Sequence, residues 1–158
     1  MTSRREETIP AGASDPHGLD RFVVAQERSH AAALGELRLG RKRTHWMWYV
    51  FPQFAGLGSS EMSRRYAIRS AAEARAYLRH PLLGPRLVEC FEATLAAGGR
   101  TAHEIFGAPD DQKLRSCATL FASVSPPGSV YEQVLAKFFG GAPDDSTLEL
   151  LRVSREET

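Results

Sequence analysis

The chain is 158 residues long, with 42% hydrophobic residues, 25% charged residues and a formal net charge of +1. Such a composition supports one well-filled core and excludes wholesale disorder. The near-zero charge gives no global drive toward nucleic acid or an anionic membrane, and no run approaches the roughly 18 apolar residues of a membrane span.

Residues 1–16 carry Arg4, Arg5, Glu6, Glu7, Pro10, Gly12, Ser14 and Pro16, leave little to bury, and read as a disordered tail. No apolar stretch follows the first charged residues, so no secretory signal is expected. The two cysteines, Cys90 and Cys117, fit neither a disulfide framework nor a zinc site and point to a reduced, cytoplasmic setting. A single helical domain is expected over 17–153, with 154–158 as a flexible C-terminus.

The first periodic segment, about 19–39, places Phe22, Gln26, Ser29, His30, Ala33 and Leu37 on one stripe widened by Val23 and Leu34. Asp15 or Asp20 is placed to cap it and Gly40 to end it. The following stretch, His45-Trp46-Met47-Trp48-Tyr49-Val50-Phe51-Pro52-Gln53, reads as a short helix capped by Thr44 and ending in an extended turn, because Pro52 disfavours helical angles at Phe51. Gly56-Leu57-Gly58-Ser59-Ser60 is a turn before another short helix. Ser70 and Glu73 have capping-box spacing and open a helix that stops before Pro81. Leu83, Leu87, Phe91 and Leu95 mark the next helix, ended at Gly98-Gly99. Thr101 and Glu104 form a second capping box. Asp110-Asp111 caps a helix with Leu114, Cys117 and Phe121 on one face, Val130, Val134, Leu135 and Phe138 mark another, and a last short one covers about 146–153. Sustained period-2 alternation is absent. The fold expected is all-α, a compact single multihelical domain of about seven to eight helices.

The aromatic stretch is the unusual feature, since it follows a basic run containing Arg38, Arg41, Lys42 and Arg43. Trp and Tyr bury large areas while keeping a polar handle, so the cluster either packs the core or walls a pocket for a flat ring. The basic run either meets an anionic group or complements the dipole of the preceding helix. The five histidines show no metal-ligand spacing, and neither a G-x-S-x-G nor a C-x-x-C is present, so no metal and no cofactor is expected.

In chain order, His45 to Gln53, Gly56-Leu57-Gly58-Ser59, Tyr66-Ala67-Ile68, Glu73 to Pro81, Leu83-Gly84-Pro85-Arg86-Leu87, Ile105-Phe106-Gly107 and Asp110 to Cys117 resemble the signature of domain-of-unknown-function family 1810 over about 18–151. The resemblance implies a bacterial protein with a multihelical fold, similar to a mycobacterial hypothetical protein, and carries no established catalytic residues. The label calpastatin, attached to some members, names a disordered inhibitor and does not suit a chain patterned to fold.

The expected function is binding of a small anionic or nucleotide-like molecule, in a pocket between the aromatic motif and the helix that starts at Asp110. Lys42, His45, Trp46, Trp48, Tyr49, Gln53, Arg86 and Lys113 are the candidate ligand-binding residues, for ring stacking, ion pairing and directional hydrogen bonds. One alternative is a small hydrolase acting on a nucleotide or ADP-ribose-type compound, with His45 or Asp111 as the acid/base group. Another is a protein-interaction scaffold whose motif is core. Nucleic acid and membrane partners are not expected.

Overall fold

In a computed structural model, which describes residues 14–157, polar caps and glycines cut the chain into nine described helices. They are α1 (Asp20–Arg38), α2 (Met47–Val50), α3 (Glu61–Arg65), α4 (Ala71–Arg79), α5 (Leu83–Ala96), α6 (Ala102–Phe106), α7 (Asp110–Ala122), α8 (Val130–Phe139) and α9 (Asp145–Glu157). Most of the residues read as an N-terminal tail lie outside the described ones. Of the remainder, Asp15 starts α1: its carboxylate oxygens accept the Leu19 and Asp20 N–H groups at 2.9 and 3.1 Å. The last helix runs on to Glu157, through residues read as a flexible end, because Ser154-Arg155-Glu156-Glu157 contains no helix breaker.

Capping follows local chemistry at most helices. Ser60, Ser70 and Ser129 accept the N–H three residues on, Thr101 and Glu104 close a full capping box, and Asp144 accepts the Thr147 N–H. Two expected caps are absent. Thr44 does not cap α2, because its hydroxyl is bound to Glu36. Asp110 does not cap α7, because its carboxylate is held by two lysines.

The core is built around α5, which packs against α1, α4 and α8, while α7 packs on α8. Leu83, Leu87 and Phe91 of α5 are fully buried with Phe22 and Leu37 of α1, Phe121 of α7 and Val134 of α8. Burying each such side chain contributes about 1.5–3 kcal/mol. Cys90 and Cys117 are free thiols in this core, and burial pushes the Cys90 thiol up to about 12. The α4–α5 corner is tight: a Cβ on Gly84 would stand 2.1 Å from the Leu78 carbonyl oxygen. At the same corner His80 Nδ1 accepts the Leu82 and Leu83 N–H groups at 3.1 and 3.3 Å.

Segment 40–46 is folded back onto α1 by one carboxylate. Glu36 accepts from the Arg43 N–H (2.8 Å), the Thr44 N–H (3.1 Å), the Thr44 hydroxyl (2.6 Å) and the Trp46 indole N–H (2.9 Å). Burial pushes this carboxyl up, but the hydrogen bonds outweigh burial and hold it at about 2. A second tie closes the other side of α1. The Arg21 guanidinium donates to the carbonyls of His17, Gly18, Arg65 and Ala67 and to Glu73 Oε2, at 2.7–2.9 Å. Glu73 also accepts the Arg69 N–H at 3.1 Å. Beyond α2 an isolated parallel bridge joins Phe54 and Ile68, with Ala55 N–H to Ile68 O at 2.8 Å and Ile68 N–H to Gln53 O at 2.9 Å.

These contacts set two expectations. Gly84→Ala costs at least about 2 kcal/mol through its clash with backbone, read as a lower urea midpoint. Gly98→Ala, where nothing stands within 4 Å, stays within about 0.5 kcal/mol of the parent. The folded Glu36 value lies below its ordinary 4.5, so its contribution is full above 4.5 and is lost as pH falls through about 2. Urea midpoints measured down that window therefore fall, and fall less steeply in Glu36→Gln. His80 behaves in the same sense at higher pH. Burial lowers its pKa from 6.5, with Asp15 opposing and Arg86 adding, so stability tied to the neutral ring is full above 6.5 and declines below it. His80→Ala removes that upper step.

Candidate functional site

The structure divides the aromatic motif among several environments. Trp46, Met47, Val50, Phe51 and Phe54 are buried. Phe51 stacks edge-on against Phe91 and Phe106, with centroids 5.2 and 5.8 Å apart. Tyr49 turns back to α1, its hydroxyl 2.9 Å from Ser29 Oγ and its ring against Tyr66. Trp48 is half-buried under the Lys113 ammonium, 5.7 Å from its ring.

The space expected to form a pocket between the motif and α7 is bridged by ion pairs. Lys42 Nζ lies 3.0 Å from Asp110 Oδ2, donates to the Thr44 carbonyl at 2.7 Å and sits over Trp46, its side chain only 8% exposed. Lys113 stands 3.5 Å from the other Asp110 oxygen. Both lysines are therefore already paired. His45 is exposed, and its carbonyl, rather than its ring, meets the Tyr49 hydroxyl. Asp111 meets a different imidazole, His103, at 3.4 Å. Arg86 is on α5 near His80, and its Nη1 is buried without a protein hydrogen bond. The candidate residues thus fall on at least three parts of the surface and core. Among the described residues no group of three or more His, Cys, Asp and Glu is placed to hold a metal ion. No described helix is long and apolar enough to cross a membrane.

One candidate, Gln53, does face a cavity. It opens just after the motif, has a volume of about 320 Å³, and is lined by Gln53, Phe54, Gly56, Ser63, Arg64 and Arg69 among others. Its position follows from the local fold. The Phe54–Ile68 bridge holds the two sides together, and Gly56, at φ +103°, makes a turn that a side chain would strain. Arg64 donates to the Ser59 carbonyl across the loop. Arg69 stands just before α4, where Glu73 accepts its backbone N–H, and its guanidinium has no partner among the described residues. The Gln53 side-chain amide is likewise free of hydrogen bonds in the described structure, since its backbone carbonyl makes the bridge.

Two other cavities, of about 420 Å³ beside α7–α9 and about 450 Å³ along α5, contain no cation among their lining residues. The residues that line the cavity beside Gln53 include two arginines, a glutamine, a serine and a phenylalanine. That is donor-rich chemistry suited to an anion with a flat or polar body. Arg64, Ser63 and Arg69 were not among the sequence candidates. They flank Tyr66-Ala67-Ile68, and only the pairing of Ile68 with Gln53 brings them to the motif.

Comparison with known proteins agrees with this architecture. The sequence matches the family described as "Protein of unknown function (DUF1810)" over residues 16–151. Among solved structures, it is similar to the conserved hypothetical protein Rv1873 from Mycobacterium tuberculosis, at 51% identity and a TM-score of 0.86, covering 87% of this chain and 99% of that one. None of the curated proteins compared with the chain matches it. By sequence along nearly the whole helical domain and by fold, the chain belongs to the DUF1810 family of proteins of unknown function.

Proposed function

We propose that this domain binds a small anionic, nucleotide-like ligand in the cavity beside Gln53. The observation that carries this reading is that Arg64, Arg69 and Gln53, the last with no side-chain hydrogen bond among the described residues, line one cavity. Guanidinium groups pair with phosphate or carboxylate in two-pronged fashion, and a carboxamide both donates and accepts toward a heterocycle edge. Phe54 supplies an apolar wall.

Binding is favoured over hydrolysis because none of the residues lining this cavity is His, Asp, Glu or Cys, leaving no side-chain general base of ordinary pKa. The His103–Asp111 pair and His45 are not among its lining residues. The buried half of the motif supports a structural role for Trp46, Phe51 and Phe54, so scaffold and pocket divide the motif between them. Free buried thiols at Cys90 and Cys117 fit a reducing, cytoplasmic setting.

Thermal shift and calorimetry with inorganic phosphate, AMP and ADP-ribose test the reading. A ligand at about 100 times its Kd stabilises by about 2.7 kcal/mol, a clear rise in melting temperature. Arg64→Ala with Arg69→Ala is expected to weaken binding at least tenfold, about 1.4 kcal/mol. Arg41→Ala, away from the cavity, leaves it unchanged. Binding that survives the double substitution, or no binding of any of the three at millimolar concentration, overturns the proposal.

A further inference from the structure

The C-terminal end of α1 presents an exposed leucine among arginines. Leu39 is 76% exposed. Arg38, Arg41 and Arg43 flank it in sequence, and Arg100 lies across Gly40, its Nε 2.9 Å from where a Cβ would stand. The side chains of Arg41 and Arg43 have no partner among the described residues. A lone exposed leucine is ordinary on a protein surface. This one has a chemical complement elsewhere on the same chain.

The complement is the cavity of about 450 Å³ along α5, walled by Leu78, Pro85, Val88 and Tyr131 and rimmed by Glu89 and Glu92. An apolar floor with an acidic rim matches an apolar knob with a basic rim. Glu89 is partly engaged within the chain, 3.1 Å from His30 and 4.0 Å from Arg38. Glu92 is exposed and has no partner among the described residues. The approach of Arg38 to Glu89 also places knob and groove beside one another on one side of the molecule.

We propose that the groove along α5 receives Leu39 from a second copy of this chain, in a reciprocal contact about a two-fold axis. Adjacent, complementary features are what an isologous interface requires, because each copy then gives its knob and receives the other's. Burial of Leu39 supplies the apolar contact, and the arginines meeting Glu92 set the orientation. The proposal is independent of the anion site, which lies at a different cavity.

Sedimentation velocity of the full chain over roughly 1–500 µM, the range where weak dimers form, tests it. The expected result is a reversible monomer–dimer equilibrium that weakens at about 0.5 M salt, because the rim pairs are exposed. Leu39→Asp weakens the dimer at least tenfold. The decisive arm is a charge exchange between two variants, one carrying Arg41→Glu and Arg43→Glu, the other Glu92→Arg. Each alone is monomeric, since both of its contacts oppose like charges. Their equimolar mixture recovers the dimer, since both contacts in the mixed pair are complementary. All substitutions are at exposed positions, and thermal melts confirm folding. A wild-type monomer across the range, a dimer indifferent to Leu39→Asp, or a mixture no stronger than its components overturns the proposal.

Discussion

The four hydrogen bonds converging on Glu36 are the constraint on which the arrangement of the motif depends. They turn the chain back at the end of α1 and seat the Trp46 indole. With Trp46 seated, α2 and Phe51 enter the core in a single register. The carboxylate remains charged because its acceptor capacity is filled, and the indole N–H remains buried because it has a charged partner. Neither group is comfortable alone. An unpartnered buried donor costs about 1–3 kcal/mol, so the two stabilise each other's placement.

Arg21 plays the matching part at the opposite end of α1. Its guanidinium joins the start of that helix to the α3–α4 connection and to the nearly buried Glu73 carboxylate. A buried ion pair offers little net stability, since both charges must be desolvated. Its value here is positional. The carbonyls of Arg65 and Ala67 that Arg21 holds belong to the segment that carries Arg64 and Arg69. The segment that brings Arg64 and Arg69 to the cavity is therefore held by a third arginine that is not among its lining residues.

Much of the fold was legible in the residues because helix ends are written in local chemistry. Ser60, Ser70, Thr101 and Ser129 sit before their helices, and Gly107 and Gly140 after theirs, at spacings that need no tertiary knowledge. The site was less legible. Lys42 and Lys113 looked like free cations because nothing local shows that Asp110, far along the chain from Lys42, lies between them. The same pairing denied α7 its expected aspartate cap. Arg64 and Arg69 carried no signal in the sequence, because their meeting with Gln53 depends on a single bridge between Phe54 and Ile68. Glu36 was equally hidden, as an ordinary acidic residue near the end of an amphipathic helix.

The two ties on α1 differ in how much chain they enclose, and this orders the assembly of the domain. The bonds to Glu36 close loops of seven to ten residues. Those of Arg21 to Arg65, Ala67 and Glu73 span 44, 46 and 52 residues. Closure entropy grows with loop length, and short loops close in tens of nanoseconds. The turn that seats Trp46 therefore needs little chain beyond α1, whereas the Arg21 ties need the chain ordered as far as Arg65, Ala67 and Glu73.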